Sequence, residues 1–230
     1  MKRECLRHCS LCGIALSLLL AFESSHSAEL DAIPKLTGTL TADGKLHEPQ
    51  WRDALRITYH QFNRWQPQAD KLPDDEFVLR IFHDGSFLYV ALASYDRYVE
   101  SATQSVNSDG LYALSLLGSD NRIHHFRLRW ASIQAEPAGE MLDIQWGARL
   151  RASFNDLSHE GGGYMLEFAV PFDTLGWQAG DNININVLIQ DHDNNPGGAY
   201  NAPDTRFVRF ALGHFDSDDS SGFYPLQLAP

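Results

Sequence analysis

Apolar and polar residues alternate along most of this chain in short runs, and residues that favour turns separate the runs. Glu76 to His83, Ser86 to Tyr95, Gly110 to Leu117, Arg122 to Trp130, Ala148 to Phe154, Tyr164 to Val170, Ile183 to Gln190, Arg206 to Leu212 and Tyr224 to Leu228 each read as a strand. Between them stand Asp84-Gly85, Gly118-Ser119-Asp120-Asn121, Gly161-Gly162-Gly163 and Asn194-Asn195-Pro196-Gly197-Gly198, compositions that supply turns with φ > 0. No segment longer than about two turns carries a helical period. Each strand has one apolar face to bury, so the pattern predicts an all-β protein, a single antiparallel two-sheet sandwich of jelly-roll or immunoglobulin-like kind.

Tyr164 to Asn194 is the clearest stretch. Tyr164 to Val170 is extended, Pro171 ends the ladder, and residues 171–175 form about one helical turn. Gly180-Asp181 then reverses the chain. Ile183, Ile185, Val187 and Ile189 fall on one face of the next strand, and Asn182, Asn184, Asn186 and Gln190 on the other, which predicts one buried and one wet face. The same period sets Phe126, Leu128 and Trp130 against Arg127 and Arg129. It also turns Leu150, Ala152 and Phe154 inward and Arg149 and Arg151 outward. If these outward faces adjoin, they form a polar, arginine-rich surface, either an ordinary solvated face or a concave ligand face.

The N-terminus changes what is counted. Lys2, Arg3 and Arg7 precede an apolar run from Ile14 to Phe22 and a polar Glu23 to Ala28, the pattern of a signal peptide spanning residues 1–27 and cleaved after Ser27 or Ala28. The run is about half of the ~20 residues that cross a bilayer, so no stable membrane insertion is expected after cleavage. Cys5, Cys9 and Cys12 all lie in this segment, which leaves residues 28–230 without a disulfide, held by their core or by bound metal. The chain carries 18 basic and 30 acidic residues, and removing residues 1–27 leaves 15 against 28. That charge repels nucleic acid and anionic lipid and suits neutral ligands or cations. Export to a periplasm or the medium follows, with one domain over residues 28–230.

Asp43-Gly44-Lys45-Leu46 followed by Trp51, the run His83 to Ala91 (HDGSFLYVA), the proline corner and the Gly180-Asp181 strand stand in a telling order. In this order they resemble the family 9 carbohydrate-binding modules, relatives of cellulose- and xylan-binding modules within a DOMON-like β-sandwich superfamily. The resemblance covers about residues 36–228. It implies the same sandwich, a core place for Trp51, and non-catalytic binding of a saccharide or polysaccharide. It also implies two tryptophans clamping the sugar, one before a central strand and one before the last. Here those windows hold Ser105 to Asp109 and His214 to Gly222, without tryptophan.

The remaining aromatics therefore become the candidates. Trp65, Trp146 and Trp177 lie in or beside predicted loops and offer rings for stacking, each otherwise a loop anchor. Arg127, Arg129, Asn184 and Asn186 offer hydrogen bonds to hydroxyls, and the arginines suit uronate carboxylates. Asp191, Asp193 and Asn195 have the spacing of a loop that supplies oxygens to structural Ca²⁺, although Pro196 and Ala202 depart from the EF-hand pattern. Asp216, Asp218 and Asp219 form a second acidic loop, read as solvated. No histidine spacing supports zinc, and no G-x-S-x-G elbow or phosphate loop is present. Two alternatives stand beside saccharide binding: an interaction or structural protein whose sugar site has decayed and which binds a protein partner, and a b-type haem domain using Met141 or Met165.

Overall fold

The computed structural model describes residues 30–38, 40–65, 76–95, 112–128, 130–131, 134–135, 145–150, 163–193, 206–216 and 218–230. The strands are β1 (Asp31–Ile33), β2 (Leu55–Thr58), β3 (Asn63–Trp65), β4 (Glu76–His83), β5 (Phe87–Tyr95), β6 (Tyr112–Leu117), β7 (Ile123–Leu128), β8 (Trp130–Ala131), β9 (Gln134–Ala135), β10 (Gln145–Leu150), β11 (Tyr164–Pro171), β12 (Asn182–Asp193), β13 (Arg206–Ala211) and β14 (Tyr224–Leu228). Helical turns are α1 (Gln50–Asp53) and α2 (Phe172–Leu175). Among the described residues, no helix is long and apolar enough to cross a membrane.

Two main sheets form the sandwich. The smaller runs β10-β11-β5-β4-β2, and β8 and β9 form a separate ribbon. In the larger sheet β12 is the hub. β6 pairs along one of its edges and itself pairs β7, while β14 and β13 share the other edge, β14 over the first residues of β12 and β13 over the last. β13 also pairs β3. The pairing is antiparallel with one exception among the described strands: β1 lies parallel to β14, Ile33 opposite Leu228.

The alternation read from sequence sets the core. Ile183, Ile185, Val187 and Ile189 pack against Phe77, Leu79, Ile81, Leu88, Val90, Leu92, Leu166 and Phe168, all 2% exposed or less. Burying side chains of this size contributes about 1.5–3 kcal/mol each, and the described residues, which include no cysteine, rely on it. Pro171 and α2 stand where the proline corner predicts a single turn, and Gly176 ends it with φ 65, a left-handed value that favours glycine.

Residues 36–38 and 40–54 form a third layer, over the outer side of β4, β5 and β11. Leu40, Trp51 and Ala54 pack on Phe82, Tyr89, Ala91 and Ala169 there. The lone charge in the apolar β11 run, Glu167, is fully buried beneath this layer. Its carboxylate accepts hydrogen bonds from Asp43 N (2.9 Å), Gly44 N (2.8 Å) and Trp51 Nε1 (3.0 Å). Burial pushes its pKa up, and the donors only partly offset this. The Asp43-Gly44 turn and Trp51 are thus recognised by one buried carboxylate, and Trp51 takes the core place expected of it.

Candidate functional site

The outer face of the large sheet is organised by a break in its ladder. β13 leaves β12 where Leu188 faces Ala211, and β14 rejoins it where Ile185 faces Tyr224. Residues 212–216 and 218–223 make an excursion in between. Leu212 N still donates to Val187 O (3.0 Å), after which the backbone departs and a side chain takes over. Asn186 accepts from Gly213 N at Oδ1 (3.0 Å) and donates from Nδ2 to His214 O (2.7 Å), as a peptide group would. Asn63 Nδ2 on β3 donates to Gly213 O (2.6 Å). At the neck the Gly213 and Gly222 backbones meet so closely that a Cβ on Gly213 would overlap the Gly222 carbonyl oxygen.

A second tie joins the excursion to the sheet. Asn186, Ser115 and His125 lie side by side on β12, β6 and β7. Ser115 Oγ and His125 Nδ1 are 3.0 Å apart, and His125 Nε2 is 3.1 Å from Asp218 Oδ1. With the proton of a neutral ring on Nε2 facing the carboxylate, Ser115 donates to Nδ1. The connectivity is that of a Ser-His-Asp relay, but the burial is inverted. Ser115 is fully buried while the Asp218 side chain is 70% exposed, whereas a nucleophile must be reachable and its orienting carboxylate sheltered. The chemistry this arrangement supports is anchoring of the acidic segment. Within that segment, Ser221 hydrogen bonds hold the Asp219 carboxyl below its usual range.

Register shows which sequence candidates come together. Asn184 faces Leu117 and Pro225, and Arg127 faces Ala113, so both positions flank the Asn186-Ser115-His125 row. Trp65 stands on edge strand β3 opposite Arg209, itself opposite Gln190 on β12, at the far side of this face. Trp146 is in β10 of the other sheet, opposite the core residue Phe168, within a strand where a place in or beside a loop was predicted. Arg129 and Asn195 lie outside the described residues. Met165 lines the outer side of the smaller sheet, away from the core, and Met141 is outside the described residues.

Three expectations need correction. Trp177 is a core residue, 6% exposed, donating from Nε1 to Leu117 O (3.1 Å) with its ring on Phe172 at 6.2 Å. The left-handed Gly176 turns the chain so that the indole enters the sandwich. Asn186, assigned to the wet face, is fully buried because the excursion covers it. Asp191 and Asp193 extend β12, opposite Val208 and Arg206, where an oxygen-ligand loop was predicted. The sequence reading missed Ser115, His125 and Asp218 as a group, because the tie joins residues a hundred positions apart. It also missed Glu167, although a single charge inside YMLEFAVP was a signal.

Among the described residues, Asp43, His47 and Glu48 are grouped closely enough to hold a metal ion. Lys45 already occupies Asp43, its ammonium on Oδ2 keeping that carboxyl below its usual range, and His47 Nδ1 contacts Lys45 O.

No family model and no curated protein matches the sequence. Solved structures do. A family 9 carbohydrate-binding module from Caldicellulosiruptor kristjanssonii, solved with cellotriose, is similar over 86% of this chain and 94% of its own, at TM-score 0.59 and 16% identity. The same organism's family 9 module solved with glucose is similar over 86% of this chain and 95% of its own, at TM-score 0.61 and 15% identity. The chain has the β-sandwich fold of the family 9 carbohydrate-binding modules.

Proposed function

We propose that this protein is an exported, non-catalytic carbohydrate-binding protein that takes a saccharide on the outer face of its large sheet. The observation that carries the proposal is the fold, shared along most of the chain with modules whose structures hold cellotriose and glucose. Fold alone does not fix function, so the site must supply the chemistry. Sugar binding in water needs an aromatic face for C–H groups and polar groups for hydroxyls. Asn184, Arg127 and Trp65 belong to one face and supply those residue types. Phe215, half-buried in the excursion, stands in the window where family members carry their second clamp ring. The signal-like N-terminus supports export, to a periplasm or the medium. Calcium at Asp191 and Asp193, two residues apart and so on one side of β12, belongs to the same proposal as structural support. Calorimetric titration with cellotriose and a panel of neutral oligosaccharides tests the proposal. Binding that Asn184→Ala and Trp65→Ala each weaken is expected, and binding to none of the panel overturns it.

A further inference from the structure

The outer face of the smaller sheet, on the other side of the molecule, carries a cleft of about 880 Å³ that saccharide binding on the large sheet does not use. Alternation builds its floor. In β2 (LRIT) and β4 (EFVLRIFH), Ile57, Leu79 and Ile81 enter the core, which turns Arg56 and Arg80 outward. Register then sets Arg56 directly opposite Arg80. Like charges in that relation repel, and a guanidinium does not relieve repulsion by losing its proton. Arg80 is half-buried and held at one end, donating from Nη1 to Trp51 O (2.7 Å). Among the described residues, neither arginine has a carboxylate within ion-pair distance, on a chain with a net charge of −12. Two other features face the same cleft. Tyr59 lines it, its ring 3.9 Å from that of His60, and Glu48 lines it with Oε2 buried and unpartnered.

We propose that this cleft binds a sugar acid, an oligosaccharide whose uronate carboxylate spans the Arg56 and Arg80 guanidinium groups. The planar fork donors match a carboxylate, the Tyr59 ring takes a pyranose C–H face, and Glu48 accepts from a hydroxyl. A bare oxyanion such as phosphate would meet Glu48 and Glu76 and leave the ring unused. A neutral sugar would leave the two guanidinium groups facing each other. The site is on a different sheet from the one proposed for neutral saccharides, so either proposal can fail alone.

The test is calorimetric titration of the whole chain with trigalacturonate, its methyl ester and inorganic phosphate. Trigalacturonate binds, and more weakly at high salt. The ester binds at least about tenfold more weakly, as does the acid to Arg56→Gln, the loss expected for one charge-assisted contact. Arg56 is exposed and its charge opposes that of Arg80, so this variant melts no lower than wild type. Arg80→Lys keeps the charge but loses the fork, and weakens binding too. Equal affinity for acid and ester, no binding of the acid, unchanged affinity in Arg56→Gln, or phosphate bound as tightly as the trisaccharide each overturns the proposal. Asn184→Ala and Trp65→Ala leave trigalacturonate binding intact; loss of it in those variants but not in Arg56→Gln puts the acid on the large sheet and overturns the proposal as well.

Discussion

Replacing Asn186 tests whether its amide completes the broken ladder of β12 or faces ligand. In Asn186→Ala both bonds vanish, and Gly213 N–H and His214 C=O lose their partner beneath a fully buried position. A net hydrogen bond contributes about 0.5–1.5 kcal/mol and an orphaned buried group costs about 1–3 kcal/mol. The neck is only part-buried and water can reach some of it, so the lower half of that range applies to each of the two groups, about 2–4 kcal/mol in all. With a urea m-value of about 2 kcal/mol/M, the midpoint falls by roughly 1–2 M. Asn186→Asp sharpens the test. Oδ1 keeps the Gly213 bond, but the second carboxylate oxygen faces the His214 carbonyl, acceptor against acceptor. At pH 7 the loss matches that of alanine. Near pH 4 much of it returns, because a protonated carboxyl donates to His214 O. Tryptophan fluorescence during urea unfolding measures both variants. An alanine variant within 0.5 kcal/mol of wild type, or an aspartate variant with no recovery in acid, refutes the ladder role.

Gly213→Ala forces a methyl group into the Gly222 carbonyl and costs about 1–3 kcal/mol by the same unfolding assay, whereas Gly180→Ala meets no atom and pays only the strain of φ 93. His83 is fully buried, and burial, then Lys35, holds its pKa below the imidazole value. The unfolded chain takes up this proton near pH 6.5 and the folded one does not, so the stability is whole above that pH and falls below it. His83→Leu removes this slope, at most about 1.4 kcal/mol per pH unit, and identical stability-versus-pH curves contradict the assignment. Trp177→Phe loses the bond to Leu117 O and destabilises by about 1–2 kcal/mol without altering saccharide affinity; a change in affinity at constant stability would return Trp177 to the binding surface. A chelator lowers the melting temperature if Asp191 and Asp193 hold calcium, and an unchanged melt removes the ion from the account.

The sandwich was legible because period-two alternation is a local signal, and the β12 isoleucines and Phe77, Leu79 and Ile81 of β4 needed only neighbours to be assigned. The proline corner was legible because its residues are adjacent in sequence, whereas the core place of Trp51 came from the family resemblance. What escaped depends on pairs far apart in the chain. Asn186 reads as a wet-face amide until the excursion from residue 212 to 223 is seen to cover it. Trp177 reads as a loop ring until Gly176 turns it inward. The parallel β1-β14 pair joins the two ends of the described chain, which no run of residues announces. Arg56 and Arg80 each read as an ordinary outward residue, and only the β2-β4 register makes them a pair.

The central claim is that the outer face of β12, β6 and β7 receives a saccharide. Titrating isotope-labelled protein with cellotriose and following backbone amide shifts tests it most directly. Saturable shifts are expected at Asn184, Ser115, His125 and the described residues of the excursion, with the Ile81 and Leu92 core unmoved. Saturable shifts confined to another surface, or none up to millimolar sugar with any neutral oligosaccharide tried, would contradict it.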